Sequence, residues 1–323
     1  MNVHTDTLRV RVASRSTETQ DICSLELVPV EGTTLPAFTA GAHVDVHLPG
    51  GLVRQYSLCN RPGETHRYQI GVLRDAASRG GSQAVHEALL EGTELDISTP
   101  RNLFALSDSA PHHLLLAGGI GITPLLAMAE HLSAQGASFE LHHCTRSRDR
   151  TPFVPRITAA SYAQKAHHHF DDGDAAQKLD IATTLAQAPA GTHLYVCGPQ
   201  GFMDAVLNAG RAAGWPEERL HREYFAAAPV DHTGDGSFEM EIASTGRVIP
   251  VRADQTALAA LHEAGLDIPM SCEQGICGTC LTGVKAGKPD HRDQYLTPEE
   301  REACDQFLPC CSRASSPRLV LDL

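Results

Sequence analysis

Three cysteines fall within ten residues of the sequence SCEQGICGTC, at Cys272, Cys277 and Cys280, and a vicinal pair, Cys310 and Cys311, follows. Two irons bridged by sulfide need four thiolates, and C-x4-C-x2-C with one distant cysteine is the spacing of a plant-type 2Fe–2S site. Gly275 and Gly278 free the loop backbone to turn N–H groups toward sulfur. A structural zinc site favours two short ligand pairs, which this spacing does not offer. The residues alone leave Cys310 and Cys311 both open as the fourth ligand. Cys23, Cys59 and Cys144 read as small buried apolar residues, and Cys304 lies outside the motif.

Glycines mark a second kind of chemistry. AGGIGITP, residues 117–124, follows an apolar run and opens a helical pattern, so Gly119 and Gly121 would let a pyrophosphate approach backbone N–H groups at a helix start. The dinucleotide fingerprint needs a third glycine where Pro124 stands, and proline suits a first helical turn. In CTRSRDRTPF, Arg146 and Arg148 are cations that could bind a phosphate such as a nucleotide's 2′-phosphate. Gly80, Gly81 and Ser82 form another phosphate-suited helix start. In RQYSL, residues 54–58, an arginine, an aromatic ring and a hydroxyl lie close in sequence. Strand alternation points Arg54 and Tyr56 to one face and Ser57 to the other, so backbone curvature is needed to bring all three to one ligand.

The elements that must carry these residues differ along the chain. Six short runs, LRVRVAS, ICSLELVPV, HVDVHLP, RQYSLC, YQIGVL and TELDIST, alternate or are β-branched and predict an antiparallel barrel over residues 1–106. HHLLLAGG, FELHHC and HLYVCGP predict buried strands, and PLLAMAEHLSAQG and GFMDAVLNAGRAAG predict helices, making 107–228 an α/β domain. Turn formers across 226–237 predict a linker, centred on 229–235. From 236 to 323 a hairpin turning at Thr245-Gly246, the amphipathic TALAALHEAG and the cysteine loop predict a small third domain. His167, His168 and His169 read as a solvated loop.

The 323 residues carry 39 Asp and Glu against 26 Lys and Arg, a formal charge of −13, which argues against a nucleic-acid partner. The opening MNVHTDTLRVRVAS has no apolar run suited to a signal peptide or a membrane span. A cytoplasmic, monomeric protein with reduced thiols is expected.

SCEQGICGTC with FLPCCSRA resembles the ferredoxin domain of the phthalate dioxygenase reductase family, which includes the reductases of vanillate demethylases. The resemblance runs through nearly the whole chain. It implies a multidomain α+β protein: a flavin-binding β-barrel, a nucleotide domain of ferredoxin reductase type and a C-terminal β-grasp ferredoxin. It selects Cys310, bracketed by Pro309 and Ser312-Arg313, as the fourth ligand beside Cys272, Cys277 and Cys280. GGIGITP with Cys197-Gly198-Pro199 is similar to the superfamily's nicotinamide-side loops, and RQYSL resembles its flavin motif. The resemblance thus implies FMN held by Arg54, Tyr56, Ser57, Leu58, Gly80, Gly81 and Ser82, with Phe225 near the flavin. It implies NADH at Gly119, Gly121, Thr123, Arg146, Cys197, Gly198 and Pro199, with Ser57, Thr123 and Cys197 placing the reacting groups. Electrons would pass from NADH through FMN to the cluster and on to a separate Rieske-type oxygenase. A reductase for another monooxygenase or a haem acceptor, and a redox-sensing protein, are the rival readings.

Overall fold

Alternation along TLRVRVAS sends Val10 and Val12 inward and Arg9 and Arg11 outward, and so starts the long strand β1 (Thr7–Thr19). The computed structural model describes residues 7–76, 80–225 and 233–323. Strands β2 (Ile22–Pro29), β3 (Ala42–His47), β4 (Val53–Ser57), β5 (Tyr68–Leu73), β6 (Glu94–Ser98) and the short β7 (Arg101–Asn102) join β1 in one antiparallel sheet. Its order is β4-β3-β6-β1-β2-β5, with β7 on β3. A bridge from Leu58 to Ile70 links the two ends of that order and closes the barrel. Helix α1 (Gly81–Ala88) covers it, and Leu25, Leu27, Val44, Tyr68, Ile70 and Ile97 fill it.

The buried run HLLLAG becomes β8 (His113–Gly118), the central strand of a parallel sheet. After helix α2 (Ile122–Ala134) the chain adds β9 (Phe139–Thr145), then α3 (Val154–Ala159) and β10 (Ala166–Phe170). It then crosses back through α4 (Ile181–Gln187) to β11 (His193–Cys197), α5 (Gln200–Ala212) and β12 (Leu220–Glu223). The order β10-β9-β8-β11-β12 places the switch in direction between β8 and β11, where open α/β sheets bind ligands.

The solvated loop expected at His167–His169 is instead the edge strand β10, in register with His142, His143 and Cys144 of β9. The polarity of the three residues misled. Each imidazole finds a partner in the sheet: His142 Nδ1 lies 3.0 Å from His169 Nε2, and the His142 ring stacks on His167 at 4.9 Å. Burial pushes His143 down to about 3 and His142 and His43 down to about 4. Above pH ~6.5 these groups are neutral in both folded and unfolded chains. Below it the unfolded chain takes up protons that the folded chain refuses, so stability is lost as the pH falls from about 6.5 toward 4. Each such histidine contributes on the order of 1.4 kcal/mol per pH unit. Thermal melts are therefore expected to show a Tm that drops steeply between pH 6.5 and 5. A flat profile there would contradict the burial of these imidazoles.

The barrel and the parallel sheet belong to one unit, Met1–Tyr224, and their cores interleave. Ala127 of α2 packs in the barrel core, while Cys59 and Phe104 pack in the core around α2. Arg150 pairs with Asp21, the N–H of Phe153 donates to Glu18 at 3.0 Å, and Arg156 donates to the Cys59 carbonyl at 2.7 Å.

The second unit, Phe225–Leu323, is a β-grasp. Strands β13 (Phe238–Ile242) and β14 (Val248–Val251) form the expected hairpin, with Gly246 at φ 69°. After α6 (Ala257–Glu263), capped by the Thr256 hydroxyl, come β15 (Thr282–Ala286), β16 (Pro289–Asp290) and α7 (Pro298–Ala303), whose Thr297 and Glu300 form a capping box. Strands β17 (Gln306–Phe307), β18 (Arg313–Ala314) and β19 (Arg318–Leu321) follow. The sheet runs β14-β13-β19-β15-β17, and β16 pairs β18. Most of the expected linker, 226–232, lies outside the described residues. The side chain of Asp235 at its end is buried, and Arg292 grips it with two nitrogens at 3.0 and 2.5 Å.

Candidate functional site

Strand β4 carries RQYS to the rim of the barrel beside the start of α1. The Arg54 side chain crosses Gly81 so closely that a Cβ there would stand 2.5 Å from its Cγ and Nε and would force it to move. Gly80, at φ 86°, supplies the left-handed turn into the helix. Arg54, Gly80 and Gly81 therefore converge at one helix start, and the Ser82 hydroxyl accepts the Asp75 N–H at 3.1 Å. Tyr56 is half-buried, and burial raises its hydroxyl. Leu58 is fully buried and gives its N–H to Ala42, so it serves the barrel wall.

The two glycine turns of the parallel sheet meet at the switch point. A Cβ on Gly121 would come within 2.7 Å of the Gly198 nitrogen and closer still to the Cys197 carbonyl. Gly119 holds φ 54°. The turn after β8 thus lies directly on Cys197-Gly198-Pro199 after β11. Thr123 is buried behind this contact, where its hydroxyl donates to the Ile120 carbonyl at 3.1 Å and its methyl faces Gly71. Arg146 is exposed just past the end of β9.

Ser57 faces away from Arg54 and Tyr56, as alternation requires, and donates to Glu223 Oε2 at 3.1 Å. Glu223 ends β12 in register with Cys197 on β11. Burial pushes the Glu223 carboxyl up to about 8, against the pull of the Ser57 hydrogen bond. Burial, reinforced by Glu223, pushes the Cys197 thiol well up. The sequence reading passed over Glu223. The available signal was an acid at a strand's end, next to the glycine turns and two residues before Phe225. Phe225 itself is 41% exposed and opens the second unit.

In the second unit the cysteine loop turns N–H groups on its thiols, as its glycines suggested. Gln274 donates to Cys272 Sγ at 3.3 Å and Thr279 to Cys277 Sγ at 3.4 Å. Cys272 hydrogen-bonds with Cys277, and Cys310 with both Cys280 and Cys311. The bond from Cys272 pulls Cys277 below the usual thiol range. Thiols gathered in this number suit a dinuclear cluster, which takes two thiolates per iron. Among the described residues, no three His, Cys, Asp or Glu side chains are arranged to hold a single ion. Cys311 hydrogen-bonds to Cys310 and lies against the back of Gly275. Gly275 and Gly278 sit at φ 73° and 71°. A Cβ on Gly275 would come 2.9 Å from Asp293 Cα, and one on Gly278 would enter the Tyr295 ring.

The 2Fe-2S iron-sulfur cluster binding domain matches residues 240–315, and the N-terminal domain of dimethylamine monooxygenase subunit DmmA-like proteins matches residues 98–220. The vanillate O-demethylase oxidoreductase of Pseudomonas putida is 57% identical over 97% of this chain and 98% of its own. A crystallised phthalate dioxygenase reductase, described as a modular structure for electron transfer from pyridine nucleotides to [2Fe-2S], is 38% identical. It covers 98% of both chains with a TM-score of 0.77. An intact type IV self-sufficient cytochrome P450 monooxygenase matches 98% of this chain with 41% of its own, at 37% identity and a TM-score of 0.84.

Proposed function

The chain belongs to the phthalate dioxygenase reductase family, and from that premise we propose that its acceptor is the Rieske-type oxygenase component of a system that demethylates vanillate or a similar aromatic ether. It is an NADH-dependent oxidoreductase that passes electrons from NADH through FMN to a 2Fe–2S cluster and on to a separate oxygenase component. Nicotinamide gives two electrons as a hydride, the cluster carries one at a time, and FMN can exchange either number.

We assign the residues the following roles. Arg54, the N–H groups of Gly80 and Gly81 and the Ser82 hydroxyl hold the FMN phosphate, and Tyr56 offers its ring to the flavin. Ser57, at the last position of β4 and on the face opposite Tyr56, is assigned the flavin's hydrogen bond from the strand's end, and Leu58 shapes the barrel wall. Gly119, Gly121, Gly198 and Pro199 admit the dinucleotide at the switch point, Arg146 flanks its adenosine end, and Thr123 braces the turn from behind. Cys272, Cys277, Cys280 and Cys310 bind the cluster. The observation that carries this reading is the Ser57–Glu223–Cys197 group, which ties the end of the flavin-motif strand to the nicotinamide-side turn. No helix among the described residues is long and apolar enough to cross a membrane, and we read the protein as a cytoplasmic monomer.

The P450 relative carries this whole module in one chain, so domain order alone does not choose between a haem and a Rieske acceptor. The 57% identity to a vanillate demethylase component favours the latter. Reconstitution decides it: NADH, this protein and a purified vanillate-demethylating oxygenase are expected to release formaldehyde from vanillate. Reduction of cytochrome P450 but not of the oxygenase would overturn the assignment. The pH dependence tests the site. Glu223 is neutral below about pH 8, and its ionisation places a negative charge beside the hydride's path. Anaerobic flavin reduction by NADH should therefore bend near pH 8 in the wild type and lose the bend in Glu223→Gln. Glu223→Ala is expected to slow reduction roughly tenfold at pH 7.

A further inference from the structure

We propose that the face of the second unit around the cysteine loop is a docking surface for an electron acceptor with a basic rim around an apolar centre. This rests on the reading of the chain as a reductase with a separate acceptor. Three large apolar side chains bracket the loop while exposed to solvent: Met270 at 42%, Leu281 at 38% and Tyr295 at 37%. Met270 precedes Cys272 by two residues and Leu281 directly follows Cys280. The Tyr295 ring lies against Gly278, between Cys277 and Cys280. Exposed carbon collected around one loop, rather than scattered, marks a surface that another surface covers.

The charge along the loop and the helix after it is predominantly acidic. Between Arg252 and Lys285 the chain has no lysine or arginine; Asp254 and Glu263 pair with Arg252, and Asp267 and Glu273 add further acids to that stretch. Glu273 is exposed in the loop itself, at φ 55°. Helix α7, which follows Tyr295, exposes Glu299, Glu300 and Glu302. Its one base, Arg301, turns inward to the Asp293 carbonyl and carboxylate. An apolar centre with an acidic margin selects a partner of the opposite charge, chiefly through the rate of encounter. The chain's own flavin unit is the competing occupant, because it too must deliver electrons to the cluster.

The test uses the full-length holoprotein as Glu273→Lys and as Met270→Gln/Leu281→Gln, with alanines in place of glutamines if the double variant loses its cluster. Cluster absorbance, the EPR spectrum of the reduced cluster and the rate of its reduction by NADH are read first and are expected to match the wild type. Electron transfer is then measured to cytochrome c, a basic haem protein, and to cytochrome b5, an acidic one, at about 20 and about 500 mM salt. The wild type should favour cytochrome c at low salt. Glu273→Lys should cut that preference by about fivefold, and high salt should erase the difference. The double variant should slow both acceptors at either salt. Unchanged rates to cytochrome c would overturn the proposal. Slower reduction of the cluster by NADH would also do so, by giving the face to the flavin unit. A wild type that reduces cytochrome c in this pattern yet fails to reduce a vanillate-demethylating oxygenase would remove the acceptor assigned above and leave the docking face standing.

Discussion

Cys310→Ala is expected to purify with its flavin intact and without the visible absorption and EPR signal of a 2Fe–2S cluster, and to lose at least about 100-fold of its electron transfer to cytochrome c. Flavin reduction by NADH should continue at the wild-type rate, because the Ser57–Glu223–Cys197 group belongs to the first unit. Cys311→Ala is the matched control. Its thiol lies against the back of Gly275, while Cys310 pairs with Cys280, so cluster content should be unchanged. A cluster retained in Cys310→Ala and lost in Cys311→Ala would reverse the assignment of the fourth ligand. Iron and sulfide analysis with absorbance near the cluster bands reads both variants.

Gly121→Ala should be strongly damaging for a change of one methyl group. The added carbon would meet the backbone of Cys197 and Gly198, and a main chain cannot rotate away as a side chain can. The two turns at the switch point would have to separate, at a cost of about 3–5 kcal/mol. Loss of stability and loss of reduction by NADH should therefore appear together. Photochemical reduction of the flavin, which needs no nucleotide, should still work in whatever fraction folds. Gly201→Ala, which meets nothing within 4 Å, should leave stability and reduction by NADH at wild-type values. Equal melting temperatures for wild type and Gly121→Ala would show that the turns are not held against each other.

The parts of this site readable from sequence are those in which local chemistry is written in spacing. The cysteine loop, the glycine turns and RQYS sit on the expected elements, because a cluster or a phosphate imposes its pattern on neighbouring residues. Glu223 was not readable. It reaches Ser57 across 166 positions, and its significance comes from parallel pairing with Cys197, which is a property of sheet order. The alternation argument for Ser57 was right about direction, but it could not say that the opposite face holds a carboxyl. His167–His169 failed for a related reason: three polar residues look solvated until a neighbouring strand supplies histidines in register. Thr123 was legible as part of a motif, while the use of its hydroxyl on Ile120 was not.

The interleaved cores of the first unit bear on how this protein can be taken apart. Ala127 completes the barrel, and Cys59 and Phe104 complete the parallel-sheet half. Cutting between the two halves near residue 106 would strip both of core contacts and leave Glu18 and Asp21 without their partners in the second half. The first unit, Met1–Tyr224, is therefore the piece to transplant as a whole. A chimera that exchanges nucleotide specificity with a relative should carry both halves together, or carry the interleaved residues across with whichever half is moved.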